Sequence, residues 1–334
     1  MTDRLESGEF EIIARYFRPL SKGEPGALDL ADDAAVLDWA AGQSVVATTD
    51  VLIAGVHFFP DDPADLVARK LLRVNLSDLA AMGARPRAYL LSCALPADVG
   101  EDWLTAFRDG LAEDQRAYGV ALVGGDTVAT PGPVTLCATA LGEVPPNATL
   151  RRNGARRGDV VFVSGTIGDG ALGLLVLRGE APDLEEESRA ALVARYHLPS
   201  PRVRLGQELR GVAHAAIDVS DGLVGDLAHV CEASGVAAVV DWVRVPLSPA
   251  ARRFLAGLPE AREAVLSGGD DYELLFTAAP ESRDEVARRA ARAGVAVTEI
   301  GVLTEGDGVL VRDANGSRIA LERGGYSHFG GRAP

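Results

Sequence analysis

A two-domain protein of the α/β (α+β) class is predicted by three features of the chain. Runs rich in β-branched residues alternate with longer helical patterns. One stretch dense in Pro, Asn, Gly and Arg, "VPPNATLRRNGARRGD" at 144–159, separates two such series. A length of 334 residues with 47% hydrophobic content is enough for two buried cores. The first domain is placed at 1–148 and the second at 149–334.

In the first domain "QSVVATTD" and "VTLCATALGEV" read as strands, and "PADLVARKLLRVNLSDLAAMGA" and "EDWLTAFRDGLAEDQRAYG" as helices between them. The second opens on the strand "DVVFVSG", followed by helices through "GLLVLRG" and "EESRAALVARYH". The strand "AAIDVS", helix "LVGDLAHVCEASG", strand "YELLFTAA" and helix "SRDEVARRAARAG" come next. Asn315-Gly316 is a hairpin turn signal near the end.

A formal charge of −15 argues against general nucleic-acid binding, which needs basic surface to neutralise phosphates. Lys22 and Lys70 are the only lysines among 33 basic residues, and no G-x-x-x-x-G-K-[ST] phosphate loop exists. No apolar run approaches about 18 residues and no basic segment leads into one at the start, so a cytoplasmic protein without membrane contact is expected. Cys93, Cys137 and Cys231 lack the paired spacing of a zinc site or disulfide framework and read as small core residues.

The informative residues are acids that interrupt apolar runs: Asp32 and Asp33, Asp50, Asp78, Asp126, Asp218 and Asp221. Singly, each has an ordinary explanation. Asp221 could cap the helix after it and Asp78 could cap "LAAMGA". Together they pose an electrostatic problem, because like charges about 5 Å apart repel by roughly 3 kcal/mol per pair at an effective dielectric of about 20. Their neighbours are oxygen or amide donors (Thr48, Thr49, Asn75, Ser77, Ser220), with no Cys or His. A hard cation such as Mg²⁺, accompanied by phosphate, suits that set.

Two other signals carry less. "GDGALG" at 168–173 fits G-x-G-x-x-G after a strand, but the second strand with its terminal acid is replaced by the charged helical "APDLEEESRAALVARYH". Close strand-to-helix packing explains those glycines. His197, His214 and His229 read as ordinary; His57 and His328, each beside aromatics and glycine, are more suggestive. "NLSDLA" at 75–80 faintly echoes "DVSDGL" at 218–223, too briefly to define a repeat.

In order along nearly the whole chain stand "GEFEIIARYF", "TTDVLIAGVHF", "NLSDLAAMGARP", "GGDT", "IDVSDGL", "SGGDDYELLF" and "GYSHF". This series resembles the thiamine-monophosphate kinases, members of the aminoimidazole-ribonucleotide-synthetase-like superfamily, which bind ATP without a phosphate loop. The resemblance implies the two-domain fold of that superfamily, a homodimer made by pairing N-terminal domains, and ATP-dependent phosphorylation of thiamine monophosphate. It implies metal ligands at Asp33, Thr48, Thr49, Asp50, Asp78, Asp126, Asp218 and Asp221, with several Mg²⁺ per site. It implies nucleotide contacts at Gly125, Asp126, Arg152 and Ser220, and substrate contacts at His57, Asp270 and Tyr326. No residue is implied as a general base.

Two positions depart from the family pattern. Ala31 stands where Gly usually precedes the double acid, which puts that turn's backbone in question, and Asp270 stands where Glu is usual. Two other readings are weighed against the kinase. One is another ATP-dependent synthetase of the same superfamily, a selenophosphate or aminoimidazole-ribonucleotide synthetase; the former would carry a reactive Cys and a Lys near its N-terminal glycines, which this chain lacks. A non-catalytic ATP-binding regulator would not need its metal-binding acids intact.

Overall fold

The computed structural model describes residues 9–32, 34–321 and 325–326. Asp33 and His328 lie outside the described residues. The chain divides into two compact units, Met1–Leu79 with Ala84–Asn147, and Ala80–Gly83 with Ala148–Pro334. The division is therefore not a single cut, since the turn at 80–83 belongs to the second unit.

The first unit begins with a short helix α1 (Glu9–Ile12), which continues as a wider π-turn over Ile13–Phe17 and two 3₁₀ segments. Then come β1 (Ser44–Ile53), α2 (Ala64–Ala81), β2 (Arg85–Leu95), α3 (Glu101–Tyr118), β3 (Ala121–Ala129) and β4 (Thr135–Val144). The strands order as β1-β4-β2-β3, antiparallel except for the β2–β3 pair, which α3 connects as a parallel crossover. Gly119 ends α3 in the left-handed conformation that only glycine adopts without strain.

Alternation along the strands gives this sheet two unlike faces. Tyr89, Leu91, Leu136 and Ala138 are buried, and so are Leu71, Leu72 and Leu76 of α2 and Leu104, Phe107 and Leu111 of α3, so the helices cover that face. The opposite face is open. Val45, Val51, Leu90 and Val128 are exposed on it, about half so for Val45 and Val128.

The second unit contains β5 (Val160–Ser164), α4 (Asp169–Leu177), α5 (Glu186–His197), α6 (Val203–Leu209), β6 (Ala215–Asp218) and α7 (Leu223–Ser234). It continues with β7 (Ala237–Asp241), α8 (Pro249–Gly257), α9 (Arg262–Ser267), β8 (Leu274–Ala278), α10 (Arg283–Ala293), β9 (Val297–Thr304) and β10 (Gly308–Arg312). The sheet order is β10-β7-β9-β5-β8-β6, with only β10–β7 parallel. β5 and β8 are buried on both faces, which is why they read as unbroken apolar runs. Val161, Val163 and Leu275 enter a core with Leu172, Leu227 and Phe254. Phe162 and Phe276, stacked at 5.3 Å, enter a second core with Leu205, Leu209 and Val286.

Several expectations need correction. Cys93 and Cys231 are buried, but Cys137 is half-buried on the open sheet face, 3.3 Å from the Thr49 hydroxyl, because its position in β4 alternates away from the helices. The turn at Asn315-Gly316 forms, with the Asp313 carboxylate accepting from two backbone N–H groups. It closes a single bridge, Arg312–Arg318, and β10 takes its ladder from β7 on its other edge. Asp78 caps nothing: α2 runs unbroken through it. "NLSDLA" is therefore helix whereas "DVSDGL" is strand end and loop, and the echo has no structural counterpart.

The "GDGALG" glycines are crowded, but against two helices and a loop and not against a strand. A Cβ on Gly168 would meet Val265 at 2.6 Å, one on Gly170 the Asp270 carbonyl at 2.2 Å, and one on Gly173 the Leu192 carbonyl at 2.3 Å. Gly173→Ala is the sharpest test, since alanine improves helix propensity by about 1 kcal/mol yet must push α5 away. Overpacking should win, lowering unfolding free energy by about 1–3 kcal/mol in urea titrations.

Candidate functional site

In the first unit a cleft of about 450 Å³ opens beside the edge strand β3, lined by Gly124, Gly125 and Asp126 on one side and Ala31 and Asp32 on another. Phe10, Ile13 and Phe17 supply an apolar wall and Arg18 a cationic one. Gly125 has φ +154°, and a Cβ there would lie 1.8 Å from the Leu91 carbonyl oxygen, so no other residue fits. The segment leading to the acids is strained: Leu28, Asp29 and Leu30 have φ of 51°, 56° and 52°. It is held by Ala31 N–H to the Leu28 carbonyl, Val36 N–H to the Gly26 carbonyl, and the Arg18 guanidinium donating to the Asp29 carbonyl. Ala31 itself has φ −117°, which alanine adopts readily, so this turn does not need the glycine usual in the family.

The acids of the first unit fall into two sets. The Thr48 hydroxyl donates to the Asp78 carboxylate at 2.5 Å. In the strand register Asp50 shares that covered face, opposite Ala138. Thr49 points to the open face, where it meets Thr139 and Cys137. Asp126 aligns across the strands with Ser92, Cys137 and Val51, also on that face. Asp78 lies in the last turn of α2, which contains no basic residue of its own and where the helix dipole is negative. His57 closes the turn after β1, its Nδ1 accepting from the Ile53 N–H at 3.0 Å, which leaves the ring proton on Nε2.

In the second unit the chain leaves β6 at buried Asp218 and forms a three-residue strip, Ser220-Asp221-Gly222, before α7. All three N–H groups converge on one oxygen of Asp226, at 3.0, 3.1 and 3.1 Å. Asp221 is not the helix cap; that place is taken by Gly222. The carbonyls of the strip face other segments: Asp270 N–H donates to Ser220 and Tyr326 N–H to Asp221, both at 2.9 Å. The fold thus brings Asp270 and Tyr326, 56 positions apart, to one loop. Asp270 and Tyr272 are themselves left-handed, at φ 64° and 50°. Arg152 is exposed, and its carbonyl accepts from the Ser234 hydroxyl.

Three buried carboxylates around this loop escaped the sequence reading. Burial, helped by the nearby Asp221 charge and opposed by the three N–H donors, pushes the Asp226 carboxyl up to about 7. Asp271 accepts from Gly168 and Gly170 N–H at the start of α4, and its burial raises it well above the ordinary range. Glu273, wholly buried, accepts from Arg195, from both nitrogens of the Arg202 fork and from the Ser164 hydroxyl. Their partners are backbone groups, arginines and one hydroxyl, for Asp271 and Glu273 all 70 or more positions distant, and no spacing signals them.

Among the described residues no three His, Cys, Asp or Glu side chains form a metal-holding group.

The two units coincide with two matched domain types: residues 31–144 match the AIR synthase related protein N-terminal domain and residues 156–313 the corresponding C-terminal domain. This defines the class as AIR-synthase-related. The thiamine-monophosphate kinase of Caulobacter vibrioides is 47% identical over 95% of this chain and 91% of its own length. The solved thiamine-monophosphate kinase of Stenotrophomonas maltophilia superposes with a TM-score of 0.79 at 45% identity, over 84% of this chain and 89% of that one. A complex of AaThiL with AMPPCP and TMP superposes at 0.77 with 33% identity, over 89% and 91%. The chain belongs to the thiamine-monophosphate kinase family.

Glu273 gives a stability test. Glu273→Ala removes the carboxylate from two arginines that are themselves about four-fifths buried. Breaking one side of such a pair costs about 3–5 kcal/mol, so the melting midpoint should fall steeply, and Glu273→Gln should fall less because it keeps an acceptor.

Proposed function

We infer that this chain transfers the γ-phosphoryl group of ATP to the phosphate of thiamine monophosphate, giving thiamine diphosphate and ADP. The observation that carries this reading is the full-length kinship with thiamine-monophosphate kinases. The cleft at Gly125 and Asp126, bordered by acids and by no phosphate loop, agrees with it.

The chemistry fits the residues available. The acceptor is a phosphate monoester, anionic near neutral pH, so its oxygen attacks phosphorus without a strong base. Charge repulsion between two phosphates is the obstacle, and positioning with neutralisation lowers it. Mg²⁺ would supply that neutralisation, held by the oxygen donors Thr48, Thr49, Asp50, Asp78 and Asp126 of the first unit, with Asp33, and by Asp218 and Asp221 of the second. Gly125, Asp126, Arg152 and Ser220 are assigned to the nucleotide, where a guanidinium and a hydroxyl suit phosphate oxygens. His57, Asp270 and Tyr326 are assigned to thiamine monophosphate, whose thiazolium cation is attracted to a carboxylate and to an aromatic face. No helix among the described residues is long and apolar enough to cross a membrane. The same reading places the reaction in the cytoplasm.

The direct experiment is mass spectrometry of the products formed from ATP, Mg²⁺ and thiamine monophosphate; thiamine diphosphate with ADP is expected, and its absence rejects the reading. Asp78→Asn and Asp126→Asn should each lower turnover at saturating Mg²⁺ by about a hundredfold or more, with unchanged melting in the absence of ligand. Each removes one charge and no volume.

The open face of the first unit's sheet supports a homodimer formed by pairing first units. Val51, Leu90 and Val128 offer it apolar contact. Sedimentation should give twice the 34.9 kDa chain mass for the native protein. Leu90→Arg, a charge placed in the middle of that face, should give the single mass.

A further inference from the structure

The strip Ser220-Asp221-Gly222 makes hydrogen bonds on both of its edges. Its N–H edge is given wholly to Asp226, and two of its carbonyls accept from the segments that carry Asp270 and Tyr326. Three consecutive N–H groups can meet one oxygen only if the backbone curls into a concave nest. That curl fixes the direction in which the Cα–Cβ bonds of Ser220 and Asp221 leave the backbone. Gly222 completes it with φ +126°, and a Cβ there would come 2.7 Å from Ser267. Asp226 is the fourth residue of α7, and its side chain reaches back to residues before the helix. It is 2% exposed, so it touches the strip and not solvent.

We propose that Asp226 is a positioning residue of the phosphoryl-transfer site, fixing the Ser220 hydroxyl and Asp221 carboxylate in the orientation that nucleotide and metal use. This rests on the assignment of Ser220 and Asp221 made above. The Asp270 segment depends on Asp226 much less. Asp271 ties it to the start of α4, and Glu273 ties its end to Arg195 and Arg202. Loss of Asp226 therefore disorders the nucleotide side of the loop while the Asp270 segment keeps its own anchors; Tyr326, whose N–H meets the Asp221 carbonyl, shares only part of the loss.

The test compares Asp226→Ala, Asp226→Asn and Asp226→Glu with Ser220→Ala and Asp221→Asn in steady-state kinetics, varying ATP and thiamine monophosphate separately at fixed Mg²⁺. Asp226→Ala should raise KM for ATP about tenfold or more while KM for thiamine monophosphate stays within about threefold. Asp226→Asn keeps an acceptor oxygen and should recover most of the loss. Should the alanine variant show no cooperative melt, Asp226→Glu decides: it keeps the charge but displaces the oxygen by one methylene, and ATP use should weaken selectively. An equal loss for both substrates that follows the melting midpoint overturns the proposal, as does unchanged ATP use in the Ala and Glu variants. If Ser220→Ala and Asp221→Asn leave ATP use untouched, the nucleotide assignment itself fails. If they weaken it and the Asp226 variants do not, only the role of Asp226 falls.

Discussion

A helix N-terminus offers several unpaired N–H groups and a partial positive charge, and many nucleotide-binding proteins give that place to a phosphate. In the second unit two such ends are given to the protein's own carboxylates. Asp271 takes the start of α4 and Asp226 the turn into α7. Each acid is buried and would be costly without those donors. Each also joins a loop to a helix, so the segments around 168, 220 and 270 are fixed relative to one another. The donors are consumed in that work. A phosphate approaching this loop meets hydroxyl and carboxylate side chains, and its charge must be balanced by cations.

The first unit arranges its acids on the same economy of donors, though by other means. Asp78 sits at the negative end of α2, where its carboxylate accepts from the Thr48 hydroxyl. The left-handed run at 28–30 stores strain just before the double acid, and β2 approaches Gly125 too closely for any side chain. Both of these last places border the cleft beside β3.

Much of this was legible in the sequence. β-branched runs and amphipathic stretches located β1, α2, α3 and β4 of the first unit and β5, β6 and β8 among the second unit's strands, because burial on one face or both leaves a periodic trace. Strands β2, β3, β7, β9 and β10 left a weaker one, and strand order left none. The acids that interrupt apolar runs could be recognised because a charge in such a run is unusual. Asp226, in the equally apolar "LVGDLAHV", reads only as one acid of a helix, and Glu273 follows two other acids in "GGDDYELL"; each acquires its role from groups no local pattern reveals, backbone N–H groups for the first and arginines 71 and 78 positions away for the second. Asp78 looked like a possible cap because polar residues flank it. The helix continues past it because Leu76, Leu79 and Ala80 keep the apolar spacing and are all buried.

The glycines at 168, 170 and 173 bear on how a map of substitution tolerance for this chain would look. A scan of variants would mark these three as intolerant, alongside Asp78 and Asp126, and the motif they spell would invite a dinucleotide as the cause. The intolerance would come from carbonyl oxygens and a valine standing where a side chain would have to go. Intolerance caused by crowding should persist in a selection for folding alone, with no demand for catalysis. Intolerance at the acids should vanish there, so two selections run in parallel would separate scaffold from chemistry without any ligand being identified.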